Sequence, residues 1–146
     1  MQAMKLDDPL FDYALRGFVS GIKDCVTTEN VNTTNKKGHS ALMIAAYHGH
    51  EDVTQFLLNA GSDPNIRDHQ GTSVLMAVAS KGHLIILKML IDSGAGKKGA
   101  LQFAQMYGRK EVANFLNPQK IFSFSDQISS WLLYVFVMGQ KALSLK

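Results

Sequence analysis

Two histidines separated by a single residue, His48 and His50, form the pair in this sequence whose side chains could bind one metal ion. Imidazole is a common metal ligand, but a protein site usually takes three or four ligands. No cluster of cysteine, aspartate or glutamate completes the set, and the downstream counterpart of the pair is Lys81 and His83. The pattern therefore indicates histidines of a structural turn that make local hydrogen bonds, and no metal site is predicted.

Nucleophilic catalysis would need a reactive side chain, and the sequence offers a single cysteine, Cys25. Cys25 falls on the apolar face of a short helical segment beside Ile22 and Val26, which is typical of a buried, inert thiol. The sequence contains no glycine-rich phosphate loop, nucleophile elbow or zinc-protease helix motif. We therefore predict that the protein is not an enzyme and holds no cofactor.

The composition is that of a soluble globular domain, with 146 residues, 46% hydrophobic and 18% charged. The formal charge is +3, and lysines occur as pairs, Lys36-Lys37 and Lys97-Lys98, not as the clusters typical of nucleic-acid binders. A protein partner is therefore expected, and nucleic acid is not. The start of the chain lacks a basic region followed by an apolar run, which favours a cytoplasmic location, with the periplasm as the alternative for a processed chain.

Glycines and apolar residues recur at a constant spacing, as in Gly38 and Gly71 or Leu42 and Leu75. The spacing falls within the range of periods that marks stacked repeats. A divergent copy of the unit lies upstream at nearly the same spacing. A third copy follows downstream at a shorter spacing, because the loop before it, SGAGKKG, is shorter than the period requires. The sequence thus predicts one domain over residues 1–118, with units at about 8–34, 35–67, 68–98 and 99–117.

Each unit has the pattern of two short helices joined by a turn. In the second unit, Ser40 is suited to cap the first helix and Gly49 to end it in a left-handed conformation. The second helix has Leu57 on its apolar side and ends at Gly61, before the turn sequence Asp-Pro-Asn. We expect Leu57 and its counterpart Leu90 to be buried.

The stretch GHSALMIAAYHGHEDVTQFLLNAGSDPN resembles the ankyrin repeat, with its G-x-T-P-L-H-x-A-A, G-H, leucine pair and G-A-D-P-N pattern. The resemblance implies an all-α solenoid of about four helix-turn-helix units with short β-like finger loops. It also implies a non-catalytic protein-interaction module that presents a concave surface. The sequence departs from the pattern at Met43 and Met76, where the family has histidine, and a thioether cannot donate that hydrogen bond.

The combination of AAYHGH, KGH and QMYGRKEV resembles small stand-alone bacterial ankyrin proteins, some encoded beside catalases and others acting as immunity or inhibitor proteins. This resemblance implies an inhibitor, immunity or accessory partner of another protein. The alternative is an accessory protein for a redox enzyme such as catalase, which would handle haem or metal through surface histidines, namely His48, His50, His69 and His83.

The family resemblance also implies which residues contact a partner. They lie on the finger loops and at the ends of the first helices. The predicted partner-binding residues are Lys36, Lys37, His39, Tyr47, His48, Arg67, Asp68, His69, Ser80, Lys81, Met106 and Tyr107. Tyr47 and Tyr107 are the expected anchors, because aromatic side chains often dominate interface energies.

Beyond Pro118 the period stops, and residues 119–146 form the most apolar segment of the chain. The favoured interpretation is a C-terminal helix that caps the last unit, because the end of a solenoid otherwise exposes apolar surface. A dimerising or partner-binding helix is an alternative. Membrane insertion is less favoured, because the uninterrupted apolar run from Trp131 to Met138 is far shorter than the roughly 20 residues of a spanning helix.

Overall fold

The computed structural model describes residues 8–118. Within this range the chain forms helices in succession: α1 Pro9–Arg16, α2 Val19–Cys25, α3 Ala41–His48, α4 Glu51–Asn59, α5 Val74–Lys81, α6 Leu84–Asp92, α7 Ala100–Met106 and α8 Lys110–Leu116. The predicted all-α repeat fold is confirmed. The chain divides into two compact units, Met1–Ala113 and Asn114–Lys146, and the interactions discussed below belong to the first. The predicted helix in 119–146 lies outside the described residues, and the proposed unit limits stay predictions.

Polar caps and glycines fix where the central helices begin and end. Ser40 Oγ accepts a hydrogen bond from Met43 N at 3.2 Å, and Ser73 Oγ repeats the contact with Met76 N at 3.2 Å. These side chains satisfy amide groups that the first turn leaves without helical partners. Gly49 ends α3 at a φ of 85°, in the left-handed region that glycine adopts without steric cost.

The helices pack in two rows. First helices contact one another in the order α1, α3, α5 and α7, and second helices in the order α2, α4 and α6. Leu57 and Leu90 from the second row are fully buried, as are Leu42 and Leu75 from the first. The register assigned to the repeats from the period is therefore confirmed for these leucines.

Two finger loops project between the first three helix pairs. Each is closed by an isolated antiparallel bridge, Thr34 with Ser40 and Arg67 with Ser73. The backbone amide of His69 donates to Lys37 O at 3.2 Å, so the second finger is bonded to the first. Between α6 and α7 the described chain has no such bridge, as the shortened loop predicts.

The turn histidines differ from the sequence expectation. His50 Nε2 lies 2.8 Å from Leu15 O, and His83 Nε2 lies 3.2 Å from Tyr47 O, so each imidazole bonds to the preceding unit rather than locally. The reason is that carbonyl groups in the last turn of a helix lack partners within that helix. Arg109 Nε takes the same role in the last pair, 2.9 Å from Ser80 O.

A second set of bonds between units comes from asparagines in the loops that precede the fingers. Asn32 Oδ1 accepts from Asp63 N, and Asn65 Oδ1 accepts from Gly96 N, each at 2.8 Å. The two asparagines occupy the same position in successive repeats, so the same bond recurs from one unit to the next. Together with the turn histidines, they fix the position of each unit against the next at both ends of the helices.

Candidate protein-interaction surface

The predicted partner-binding residues fall into two groups at opposite ends of the first helices. The finger group precedes the helices and consists of Lys36, Lys37, His39, Arg67, Asp68 and His69. The helix-end group lies at or just after their last turns and consists of Tyr47, His48, Ser80, Lys81, Met106 and Tyr107. A helix of eight residues is about 12 Å long, so the two groups lie within reach of one partner.

The helix-end group is part of a longer row that was not predicted from the sequence. Leu15 and Arg16 lie one repeat before Tyr47 and His48, at the same position in α1. We define the helix-end strip as Leu15, Arg16, Tyr47, His48, Ser80, Lys81, Met106 and Tyr107. The constant spacing was the signal that could have found Leu15, which was overlooked because an apolar residue in a short helix is usually part of the core.

The helix-end strip exposes large apolar side chains. Leu15 is 48% exposed, Tyr47 37%, Met106 69% and Tyr107 53%. The hydrogen bonds from His50, His83 and Arg109 end on the backbone of Leu15, Tyr47 and Ser80, and therefore tie consecutive units together beneath this strip. Apolar side chains at repeated positions on a rigid scaffold are what a protein partner can bury.

Tyr47 and Lys81 pair across the boundary between two units. Lys81 Nζ lies 4.5 Å from the centroid of the Tyr47 ring, within the range of a cation–π interaction. The His48 ring meets Tyr47 edge-on at a centroid distance of 5.3 Å. Tyr47 is thus held by contacts on its ring while part of its surface stays open to solvent.

His48 is partly buried and lies among other basic groups, and both features lower its pKa. Partial burial is the main cause that lowers the pKa of His48, followed by the nearby His50, Lys81 and His83. The His48 and His50 rings are stacked at a centroid distance of 6.3 Å. The lowered pKa favours the uncharged imidazole, and His48 is not counted among the cations of the strip.

The second finger contacts α5, the helix that carries Ser80 and Lys81 of the helix-end strip. Arg67 Nη1 donates to Gly71 O at 2.7 Å and lies 3.8 Å from Met76 Sδ. Met76 is on α5, one turn before Ser80, so both side chains lie on the same face of that helix. At this repeat position the thioether is half-buried beside a guanidinium rather than purely packed among apolar groups.

In the described range no group of three or more His, Cys, Asp and Glu side chains is placed to hold a metal ion. Burial, followed by the charge of Asp8, raises the pKa of the Cys25 thiol, and Cys25 Sγ lies 3.7 Å from Ile22 O. None of the helices between residues 8 and 118 has the length and apolar character to cross a membrane.

Comparisons with known proteins agree with the repeat fold. Residues 42–91 match the family described as ankyrin repeats in many copies. Osteoclast-stimulating factor 1 of Monopterus albus is 39% identical over 62 residues, which cover 42% of this chain and 29% of that protein. The same protein of Danio rerio is 34% identical over 70 residues, which cover 47% of this chain and 31% of that protein. The Xenopus laevis protein is 37% identical over 70 residues, which cover the same fractions of the two chains.

The chain thus spans less than a third of the length of these curated relatives. They are vertebrate proteins, and the resemblance to bacterial stand-alone ankyrin proteins gains no support from them. The match runs from α3 to α6 and leaves out only the first residue of α3 and the last residue of α6. Residues 42–91 thus match ankyrin repeats, which act in protein–protein interaction.

Proposed function

We propose that this chain binds another protein through the helix-end strip, with the two finger loops as the flanking part of the same surface. The observation that carries the proposal is the recurrence of exposed Leu15, Tyr47 and Met106 at one repeat position of three units. Burying such side chains supplies favourable free energy at about 25 cal/mol per Å² of apolar area. A row of them on one surface is therefore suited to association.

The scaffold supports this role because it is ordered before a partner arrives. Backbone carbonyls beneath the strip already accept hydrogen bonds from the neighbouring unit, and Tyr47 is held by Lys81 and His48. A surface that needs little reordering loses less conformational entropy on binding. A non-catalytic module that presents fixed anchors fits this arrangement.

The narrower hypotheses rest on the sequence alone. These are an inhibitor, immunity or accessory role toward an enzyme, haem or metal handling through surface histidines, and a cytoplasmic location. In the described structure two of those histidines, His50 and His83, already use Nε2 to bond the preceding unit. This observation favours a structural role for them over ligation, and protein binding remains the function that we propose.

The proposal is tested by affinity capture from the source cells with the full chain and two matched variants. Tyr47→Ala combined with Tyr107→Ala removes both aromatic residues of the strip. Ile85→Ala is the control, because Ile85 is 55% exposed but lies on α6, in the row of second helices. Anchor side chains commonly cost about 2 kcal/mol or more when removed, which corresponds to about thirtyfold in affinity.

We expect proteins enriched by the unaltered chain and by Ile85→Ala to be lost with the double variant, when quantified by mass spectrometry. Equal circular dichroism spectra of the three proteins would show that the fold is kept. Retention of every enriched protein by the double variant, together with loss by Ile85→Ala, would move the binding surface to the second helices and contradict the proposal.

A further inference from the structure

The surface formed by the finger loops and the helix-end strip carries an excess of positive charge. Its basic side chains include Lys36 and Lys37 on the first finger, Arg67 on the second, and Lys81 on the strip. None of these four forms an ion pair with an aspartate or glutamate of residues 8–118. Arg16 differs, because its Nε lies 3.0 Å from Asp12 Oδ1.

The acidic residue of the fingers, Asp68, is engaged within its own loop. Its Oδ1 accepts hydrogen bonds from Gln70 N at 2.9 Å and Thr72 N at 2.8 Å, and its Oδ2 lies 3.7 Å from His39 Nε2. The Asp68 carboxylate forms no ion pair with Lys36, Lys37 or Arg67. Of the other acidic side chains, Glu51 and Asp52 lie on α4 and Asp92 on α6, in the row of second helices, whereas Asp12 on α1 pairs with Arg16.

Cationic and apolar groups are interleaved on this surface rather than separated. Lys81 Nζ lies over the Tyr47 ring, and Arg67 lies beside the thioether of Met76. A ligand side chain that packs on Tyr47 therefore lies close to an ammonium group with no acidic partner among the described residues. Carboxylates next to an apolar side chain satisfy both features at once, because charge complementarity steers association and apolar burial retains the complex.

We propose that the partner occupies this surface with a segment of polypeptide in which aspartate or glutamate residues flank an aromatic or aliphatic residue. The proposal rests on the proposed function and specifies the partner's chemistry at the same site. Apolar residues of the segment pack on Tyr47 of α3 and on Met106 and Tyr107 at the end of α7, and the carboxylates pair with Lys81 and with the basic residues of the fingers. A single-stranded nucleic acid would satisfy the cations and stack its bases on the tyrosines, but it has no side chain to match the aliphatic Leu15 and Met106, and it is the competing ligand in the test.

The test is selection of displayed random peptides of about twelve residues, which reach about 40 Å when extended, against the full chain. We expect the enriched peptides to gain aspartate, glutamate and aromatic or aliphatic residues and to lose lysine and arginine. The peptide most strongly enriched is then labelled and its affinity measured by fluorescence polarisation at low and high salt. Affinity should fall as salt rises, because ions screen exposed charges beyond about 10 Å at 0.1 M.

Charge reversal gives the matched comparison. Lys81→Glu combined with Arg67→Glu should weaken the peptide by about tenfold or more, since each tenfold is about 1.4 kcal/mol. Lys23→Glu is the control, with the same change of charge per residue on α2 in the row of second helices, and should leave the affinity within about twofold. A single-stranded oligonucleotide, tested in the same assay, should bind more weakly than the peptide.

The outcomes separate this inference from the proposed function. If the enriched peptides are neutral or basic but bind more weakly to the variant with Tyr47→Ala and Tyr107→Ala, the acidic preference is overturned. The proposed function, binding at the helix-end strip, then still holds. If neither pair of substitutions changes the affinity of the peptides, both the acidic preference and the proposed binding surface are overturned. The absence of any enriched sequence, or tighter binding of the oligonucleotide, overturns the acidic-peptide inference.

Discussion

His83 Nε2 lies 3.2 Å from the carbonyl oxygen of Tyr47, so a turn of one unit is bonded to the first helix of the unit before it. The same relationship joins His50 to Leu15 at 2.8 Å and Arg109 to Ser80 at 2.9 Å. These bonds hold neighbouring units together and end on backbone carbonyl groups of residues in the helix-end strip. The repeated geometry means that scaffold and binding surface share the same backbone groups.

Removal of a turn histidine should therefore weaken the stack. His50→Ala and His83→Ala are each expected to lower the free energy of unfolding by about 1 kcal/mol, the usual net contribution of one hydrogen bond. His69→Ala, at a finger loop, is the control and should stay within about 0.5 kcal/mol. Urea unfolding followed by circular dichroism measures the difference, and equal midpoints for all three variants would show that the bonds between units add nothing to stability.

Replacing a buried leucine of the second helices should destabilise the protein more than replacing a turn histidine. Leu57→Ala and Leu90→Ala are each expected to lower the free energy of unfolding by about 2 to 5 kcal/mol, because both side chains are fully buried and leave cavities. In a repeat stack the loss should extend to neighbouring units, since each unit is stabilised by its contacts with the next. Hydrogen exchange of α2 and α6 in Leu57→Ala reports that spread, and protection lost in α4 alone would contradict it.

Two glycines provide a matched test of close packing between units. Gly49 and Gly61 have φ values of 85° and 93°, so alanine is strained by about 1 to 2 kcal/mol at both. A Cβ at Gly49 would also lie 3.0 Å from His83 Cε1, whereas one at Gly61 would meet nothing within 4 Å. Gly49→Ala should therefore destabilise the protein more than Gly61→Ala in thermal unfolding. The reverse order would show that the His83 ring moves away without cost.

The pKa of His48 should respond to the charges around it. Partial burial first, and then His50, Lys81 and His83, hold its pKa below the usual value of 6.5. For a histidine whose folded pKa is depressed, the stability that it contributes is present above the unfolded pKa and is lost as pH falls through the folded pKa. Lys81→Gln should raise the pKa of His48, and Lys23→Gln should leave it unchanged, both followed by NMR of the imidazole carbons. An unshifted His48 pKa in Lys81→Gln would show that the ammonium has no influence.

The sequence period accounts for much of this fold because it records local preferences that each unit repeats. Ser40, Gly49 and Leu57 act within one unit, and their roles as cap, helix end and core follow from residue type and spacing. The shortened loop before α7 followed from comparing the spacing of successive units. None of these conclusions required knowledge of how one unit lies against another.

Interactions between units were the part that could not be predicted from the sequence. The bond from His50 to Leu15 joins positions 35 apart in the chain, and that from Asn65 to Gly96 joins positions 31 apart. Imidazole and amide groups can reach many backbone partners, so residue type alone does not select one. Leu15 was missed for the complementary reason, because its exposure depends on where α1 ends against α3.

Binding at the helix-end strip can be followed residue by residue by NMR of the protein labelled on its methionine methyl groups. Met106 lies on the strip and is 69% exposed, whereas Met89 is half-buried on α6, in the row of second helices. Addition of the most strongly enriched peptide should shift the methyl signal of Met106 progressively and leave that of Met89 in place. A saturable shift of Met89 with Met106 unmoved would place the bound peptide on the second helices and contradict the account.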